Sequence, residues 1–585
     1  MIIQSLVEYY DAQAELGLMP PVGWSNEKIS GAVEIDDNGK ILAVHDLHNV
    51  VTIKTKNGKE KQQSRPSILT VPQFPTRTVN IAPGFLCDNT KYLFGIESGK
   101  TKTFDKNYKA FREENLKILK GVQSPAALAM CRFLENSVKN ELSADSLSRL
   151  DTGYYVFRYC GKYLHEYPEL KKIWDDYQSA AIDGERGICS ITGHEDVIVT
   201  IHPSIKGVPG AQSSGAALVS YNSSSFESYG KSQNLNSDIG RVASLKYTSA
   251  LNQLLSDKTA HSQLGDTTVV YWAEGAEKSY QSVMSVLMGG ESTEKTQEII
   301  NSLYKALENE RLVDVEDIDL RKKFYILGLS PNAARLVVRF FHESTFGELL
   351  RNIASHEKRM QIIKPSFAVD ESLHPWQILQ ATASRKTREK KILPTLPGDL
   401  MKSILQDTNY PTTLYTSVIE RIRTDPESFT DPKAKPWQKA AILKGYLIKN
   451  NRKRNITVSL NEDNNSTPYT LGRLFSVLEF LQNKASGGSL NSTIKDKYFG
   501  SAAATPGRVF PLLIHNSANH LKKIKSDQKS FTYYDKQIGQ LLDCLEGAFP
   551  HAFSLDEQGE FYLGYYQQRQ KQFTKKNKEE ENDHA

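Results

Sequence analysis

Two short stretches, SGKT at 98–101 and GKS at 230–232, carry the lysine and hydroxyl that a phosphate-binding loop uses. Such a loop also needs a glycine five residues before the glycine of GK[ST], so that successive N–H groups can curl around the phosphates. Those positions hold Phe94 and Ser225, so neither stretch qualifies and nucleotide hydrolysis loses its main support. GAQSSG at 210–215 has the wrong spacing for the G-x-S-x-G turn that presents a serine nucleophile. Cys189, His194 and His202 lie near one another, but a fourth ligand is not evident, and buried or hydrogen-bonded side chains are the preferred reading. No compact carboxylate cluster suggests a two-metal site, and the thirteen histidines are dispersed. No catalytic residue, metal ligand or cofactor is assigned, and a non-enzymatic role is expected.

Binding chemistry is better represented. The segment IKGVPGAQSSGAALVSYNSSSFESYGKSQNLN, residues 205–236, is nearly free of acids and rich in amides and hydroxyls. Lys206, Gln212, Ser213, Ser214, Asn222, Tyr229, Lys231, Gln233 and Asn234 offer donors suited to phosphate oxygens or base edges. A bland polar loop is the other reading. The Pro-punctuated run QFPTRTVNIAPGF, with the residues after it, presents Arg77, Asn80, Asn89 and Lys91 around the apolar anchors Ile81 and Phe85. Arg335 and Arg339 fall four apart on a predicted helix, where they would grip phosphate or pair with carboxylates. The clusters SRKTREKK (384–391), with Arg385 and Lys386, and KNNRKR (449–454), with Arg452, Lys453 and Arg454, would add salt-sensitive attraction to a polyanion.

These residues need a scaffold, and its elements can be read in outline. The first eighteen residues have helical spacing. GAVEI, DDNGK and ILAVHDL read as strand, tight turn and strand; YYVFRYCGKYLH reads as a second hairpin turning at Cys160-Gly161-Lys162. Helices are predicted over FDKNYKAFREENLKIL, PAALAMCRFLEN, VASLKYTSALNQLL and SYQSVMSVLMG, and a buried strand over TTVVYWAE. In KKFYILGLSPNAARLVVRFF a strand runs through Leu329, with Ser330 as N-cap and Pro331 at the first position of a helix. After about residue 372 strand signals fade into successive helices, LMKSILQD through YYDKQIGQLLDCLEG, and the tail KKNKEEENDHA reads as disordered.

The expected fold class is therefore α+β: a mixed N-terminal α/β portion (1–370), a basic helical segment (371–465) and a C-terminal helical bundle (466–585), with NEDNNSTP at 461–468 as a boundary. A hydrophobic fraction of 39% suffices for globular packing over 585 residues. The net charge of +5 is unevenly spread. Trp376–Leu460 holds sixteen Lys and Arg against seven Asp and Glu, or +9, which leaves −4 for the rest; a polyanion-binding face and a solvated helical face both explain it. Five scattered cysteines without a CxxC pair exclude a disulfide scaffold. No apolar run is long enough for a membrane helix, the start lacks the marks of a signal peptide, and a cytoplasmic location is expected.

MIIQSLVEYYD, NIAPGFLCDNTKYLFGIE, HPSIKGVPGAQSSGAALVSYNSSSFESYGKSQ, KYTSALNQLL, GDTTVVYWAE and FYILGLSPNAARLVVRFF occur in one order along the chain. Together they resemble the large subunit of type I-C CRISPR interference (Cascade) complexes, from residue 1 to beyond residue 560. The resemblance implies a non-catalytic subunit at one end of a guide-RNA complex, partnered by backbone and guide-end subunits, CRISPR RNA and target duplex DNA. It would read the protospacer-adjacent motif, help open the duplex and help recruit a separate helicase-nuclease. Motif reading would fall first to Arg77–Lys91, Asn80 above all, and second to Lys206–Lys231. An architectural subunit touching only protein and guide RNA, or a stand-alone metal-dependent nuclease, are the alternatives. The family also makes its C-terminal helical part as a separate small subunit; the last methionine here is Met401, so such a product would need a non-Met start.

Overall fold

A computed structural model describes residues 2–54, 60–75, 81–96, 104–136, 153–180, 184–275, 277–308, 318–368, 372–385, 391–488, 490, 492–545 and 547–583. They form two compact units: Leu6–His202 with Tyr221–Tyr247, and Met1–Ser5 with Pro203–Ser220 and Thr248–Ala585. The amide-rich segment is thus shared, one half belonging to each. The expected boundaries at 370 and 465 both lie within the second unit.

In the unit containing Leu6, β1 (Trp24–Ile35), β2 (Ile41–Asp46), β3 (His48–Lys54), β4 (Glu60–Pro72), β5 (Cys87–Asn89), β6 (Tyr154–Tyr159) and β7 (Lys162–Tyr163) make one sheet. Its order is β3-β4-β1-β6-β5, with β2 on β1 and β7 on β6. Both predicted hairpins are present. Asp36 closes the first by accepting the N–H groups of Asn38 and Lys40 at 2.9 and 2.8 Å. The second turns at Cys160 and Gly161, both left-handed. The long β1 is the hub: Trp24–Ile29 pairs antiparallel with β4, and Ile29–Ile35 pairs parallel with β6. Helices Asp105–Leu119, Pro125–Glu135 and Pro168–Ala180 contribute Phe111, Met130, Phe133, Leu170 and Trp174 to a core with Val33, Ile35 and Phe157. β8 (Arg186–Ile188) and β9 (Glu195–Val197) form a separate ribbon.

Two buried histidines give this unit an acid limit. Burial holds both His165 and His202 down to about 4, so each stays neutral in the folded chain while its unfolded counterpart titrates near 6.5. The unfolded state therefore binds the extra protons, and stability present above pH 6.5 is lost as pH falls towards 4, on the order of 3 kcal/mol per histidine. His165 stacks on Tyr163 at 5.5 Å, and its Nδ1 has no hydrogen-bond partner among the described residues. His165→Phe keeps the stack and removes the proton. Thermal melts from pH 7 to pH 4 should show a shallower acid loss for the variant; parallel curves would contradict this.

The other unit carries an antiparallel meander of β10 (His261–Leu264), β11 (Thr267–Ala273), β12 (Lys323–Asn332) and β13 (Arg335–Thr345). β11 is buried at every position. One expectation is overturned here. The predicted helix after Ser330 is a strand: Asn332 pairs with Arg335, Ala333 takes a left-handed φ of 52°, and Leu336–Phe341 run back along β12. The Ser-Pro signal is local, whereas the branched and aromatic run LVVRFF gains a ladder against β12.

Beyond Phe346 the unit is helical, as expected for the C-terminal part. NEDNNSTP is an ordered loop: Asn455 Nδ2 donates to Asn464 Oδ1 at 2.8 Å, Asn461 N–H to the Tyr469 hydroxyl at 3.2 Å, and Arg473 to the Glu462 carbonyl at 3.2 Å. The last helix spans Leu555–Asp583 and includes most of the tail expected to be disordered; the lysines and glutamates there are good helix formers. Among the described residues, no helix is long and apolar enough to cross a membrane.

Candidate nucleic-acid interface

The first half of the amide-rich segment is a closed loop. Ile205 and Ala216 exchange two backbone hydrogen bonds of 2.8 Å, and Ile205, Val208 and Ala216 are buried as its apolar feet. The loop is then stitched to the β12–β13 tip. Ala217 N–H donates to the Ala334 carbonyl and Leu336 N–H to the Ala217 carbonyl, both at 2.9 Å, and Gly210 backs onto Pro331. Asn252 adds a clamp, accepting the Lys206 N–H at 2.7 Å and donating to the Ser204 carbonyl at 3.2 Å. With the feet buried and the backbone tied, Lys206, Gln212, Ser213 and Ser214 are left exposed as a crest on the loop attached to the hairpin tip that carries Arg335. Sequence spacing alone could not bring residue 335 to this loop.

Arg339 lies further along β13, at the bulge where Gly328 pairs with Phe340 and Leu329 with Val338. Its Nε donates to Ser330 Oγ at 2.9 Å, and its guanidinium stands 3.5 Å from the Asp266 carboxylate. In the folded chain this guanidinium is therefore paired with a carboxylate. Asp266, absent from the sequence-based set, gives no motif that would have singled it out.

In the other unit, the Asn89 amide oxygen caps the short helix Thr90–Leu93 by accepting the Lys91 N–H at 3.1 Å. Lys91 Nζ stands 4.9 Å from the centre of the Phe104 ring. Buried Asp88 and Asn115 fix this stretch, accepting the N–H groups of Gly84 and Leu86 at 2.8 and 2.9 Å. Phe85 is a buried anchor stacked on Trp174 at 5.1 Å, whereas Ile81 is exposed. Arg77 and Asn80 lie outside the described residues.

Tyr221–Asn236 spends several of its amides on itself. Asn234 is buried and accepts the Tyr221 N–H at 3.2 Å; Asn236 accepts from Ser228 N–H at 2.9 Å and donates to the Lys231 and Gln233 carbonyls at 2.8 Å each. Lys231 is held by Asp238 at 2.8 Å. Asn222 is exposed. Cys189 Sγ accepts the Gly240 N–H at 3.2 Å, and His202 Nδ1 is 2.7 Å from the Tyr247 hydroxyl.

The +9 block is partly interior. Lys439 and Lys444 are buried, their ammonium groups donating to the Ser428 and Arg359 carbonyls at 3.4 and 2.8 Å, and burial pulls both down to about 8. Lys449 and Arg359 together hold Asp407, at 2.8 and 2.5 Å. Lys453 pairs with buried Glu560 at 3.0 Å. Arg385, Arg452 and Arg454 are exposed, and all three lie in loops rather than on the expected helices; Lys386 lies outside the described residues.

The arrangement is a pinned polar crest and exposed arginines on loops, suited to contacting an acceptor-rich surface. No curated protein matches the chain. The family model described as CRISPR-associated protein (Cas_Csd1) matches residues 6–573, and the chain belongs to that family.

Proposed function

We propose that this chain is the non-catalytic large subunit of a type I-C guide-RNA surveillance complex, reading the protospacer-adjacent motif of duplex DNA beside the guide. Membership of the Cas_Csd1 family supports the setting. The observation that carries the reading is the Ile205–Ala216 loop, whose exposed crest of Lys206, Gln212, Ser213 and Ser214 is fastened to the β12–β13 tip bearing Arg335. Backbone pinning presents these donors with little left to order on binding, and Arg and Gln are side chains able to make bidentate contacts with guanine and adenine. In this reading guide pairing supplies most of the specificity, while the protein reads the short motif and holds strands. Its partners would be other CRISPR-associated subunits, the guide RNA, target DNA and a helicase-nuclease that performs the cleavage.

The test is target-duplex binding by the assembled complex across all short flanking sequences. Gln212→Ala with Arg335→Ala should flatten the preference among flanks, each bidentate pairing with a base being worth about 1–3 kcal/mol. Asn80→Ala belongs in the same series. Arg452→Ala with Arg454→Ala should instead weaken all flanks alike and reduce the slope of log K against log salt by about 0.9 for each phosphate that these arginines neutralise. An unchanged flank preference in the first pair would refute motif reading by this crest.

A further inference from the structure

Ser228-Tyr229-Gly230-Lys231 is a tight reversal. Lys231 N–H donates to the Ser228 carbonyl at 3.0 Å, the two residues form an antiparallel bridge, and the central residues take φ of 53° and 72°, the type I′ pattern. Asn or Gly normally occupies the first central position, because a bulky L-residue is strained there. Here it is a tyrosine, and it is 99% exposed. At that exposure the ring adds nothing to the packing of the unit.

The turn beneath the ring is braced from several sides. Asn236 accepts from both the N–H and the hydroxyl of Ser228, at 2.9 and 3.2 Å, and returns its own N–H groups to the Lys231 and Gln233 carbonyls. The Glu227 carboxylate accepts the Gln233 N–H at 2.9 Å, and Asp238 holds Lys231. Gln233 is itself left-handed, at 47°. A strained, water-exposed aromatic on a rigid pedestal is a costly arrangement for a residue with no partner to meet.

We infer that Tyr229 is a stacking platform for an unpaired nucleobase of single-stranded nucleic acid, a role that rests on the nucleic-acid reading proposed above. A π-face accepts any base, so the site would be tolerant of sequence, and a preordered turn spares the ordering cost of a flexible loop. Glu227 and Asp238 offset Lys231 at the base of the turn, so the contact is made by the ring and not by local charge. Loss of the ring should therefore weaken binding without changing its salt dependence. Asn222 and the half-exposed Phe226 lie on the same loop.

The experiment uses the purified full-length chain and a single-stranded DNA 20-mer containing 2-aminopurine, whose fluorescence is quenched on stacking. Wild type should quench the probe. Tyr229→Asn, which suits the left-handed turn and cannot stack, should bind about five- to 150-fold more weakly with quenching lost and an unchanged slope of log K against log salt. Tyr229→Phe should restore both affinity and quenching. A fully paired duplex should bind Tyr229→Asn and wild type alike. If Tyr229→Asn binds and quenches like wild type while Lys206→Ala with Arg335→Ala weakens duplex binding, the stacking role is wrong and the motif-reading proposal stands. If wild type does not quench the single-stranded probe, the stacking role is overturned, while the motif-reading proposal is decided separately by flank preference in the assembled complex.

Discussion

Arg569→Met should lower the stability of the C-terminal helical part by about 3–5 kcal/mol, because it leaves a carboxylate buried without its cation. Glu479 is 2% exposed on the Thr467–Ala485 helix. It receives the Arg569 guanidinium at 2.9 Å and the Tyr565 hydroxyl at 2.7 Å, and Arg569 also donates to that hydroxyl at 2.9 Å. The charged group, the phenol and the carboxylate are thus satisfied only together. Arg569 further overlies the Phe480 and Phe573 rings at 5.7 and 5.3 Å, so methionine preserves much of the packing while removing the charge. Urea unfolding followed by far-UV circular dichroism should show the full loss in Arg569→Met and a partial recovery in Arg569→Met with Glu479→Gln. A loss below about 1 kcal/mol in the single variant would contradict this coupling. The consequence reaches the basic loop: Gln567 donates to the Thr457 carbonyl at 2.8 Å and Glu560 holds Lys453, so this helix shapes the stretch that bears Arg452 and Arg454.

Gly472→Ala should destabilise the same packing by about 3 kcal/mol, against the usual sign for this exchange. In a helix interior, replacing Gly by Ala ordinarily gains about 1 kcal/mol. Here a Cβ at Gly472 would collide with the Phe561 carbonyl, and a Cβ at Gly564 would collide with the Tyr469 carbonyl. The two glycines therefore sit where the Thr467–Ala485 and Leu555–Asp583 helices touch backbone to backbone. Neither clash can be relieved by turning a side chain. Gly564→Ala should behave alike, whereas Gly539→Ala, on the Gln528–Asp543 helix with open space around it, should be neutral or stabilising. Equal effects at 472 and 539 in denaturant titrations would rule out the close crossing.

Local chemistry explains which parts of this molecule were legible beforehand. DDNGK forces a reversal between two apolar strands, and Asp36 is seen closing it. Long amphipathic runs such as LYTSVIERIR became helices because pattern and propensity agree. The parallel pairing of Ile29–Ile35 with Tyr154–Tyr159 was not legible, since nothing in either strand names a partner so distant in sequence. The Ser330-Pro331 helix start failed for the same reason: the alternative was a ladder on β12, invisible locally. At the candidate site, composition identified an acid-poor, amide-rich segment but gave every amide equal weight. The folded chain separates them, burying Asn234, spending Asn236 as a brace and leaving Gln212 and Tyr229 outside. Charge counting had the same blind spot, since Lys439 and Lys444 point inward.

The most direct measurement compares target-duplex affinity for the guide-RNA complex assembled with and without this chain, at two salt concentrations. Omission should lower affinity and abolish the dependence on flanking sequence, and adding the chain back should make the salt slope steeper by about 0.9 for each phosphate it neutralises. Equal affinity and equal flank preference with the chain left out would contradict a DNA-reading role.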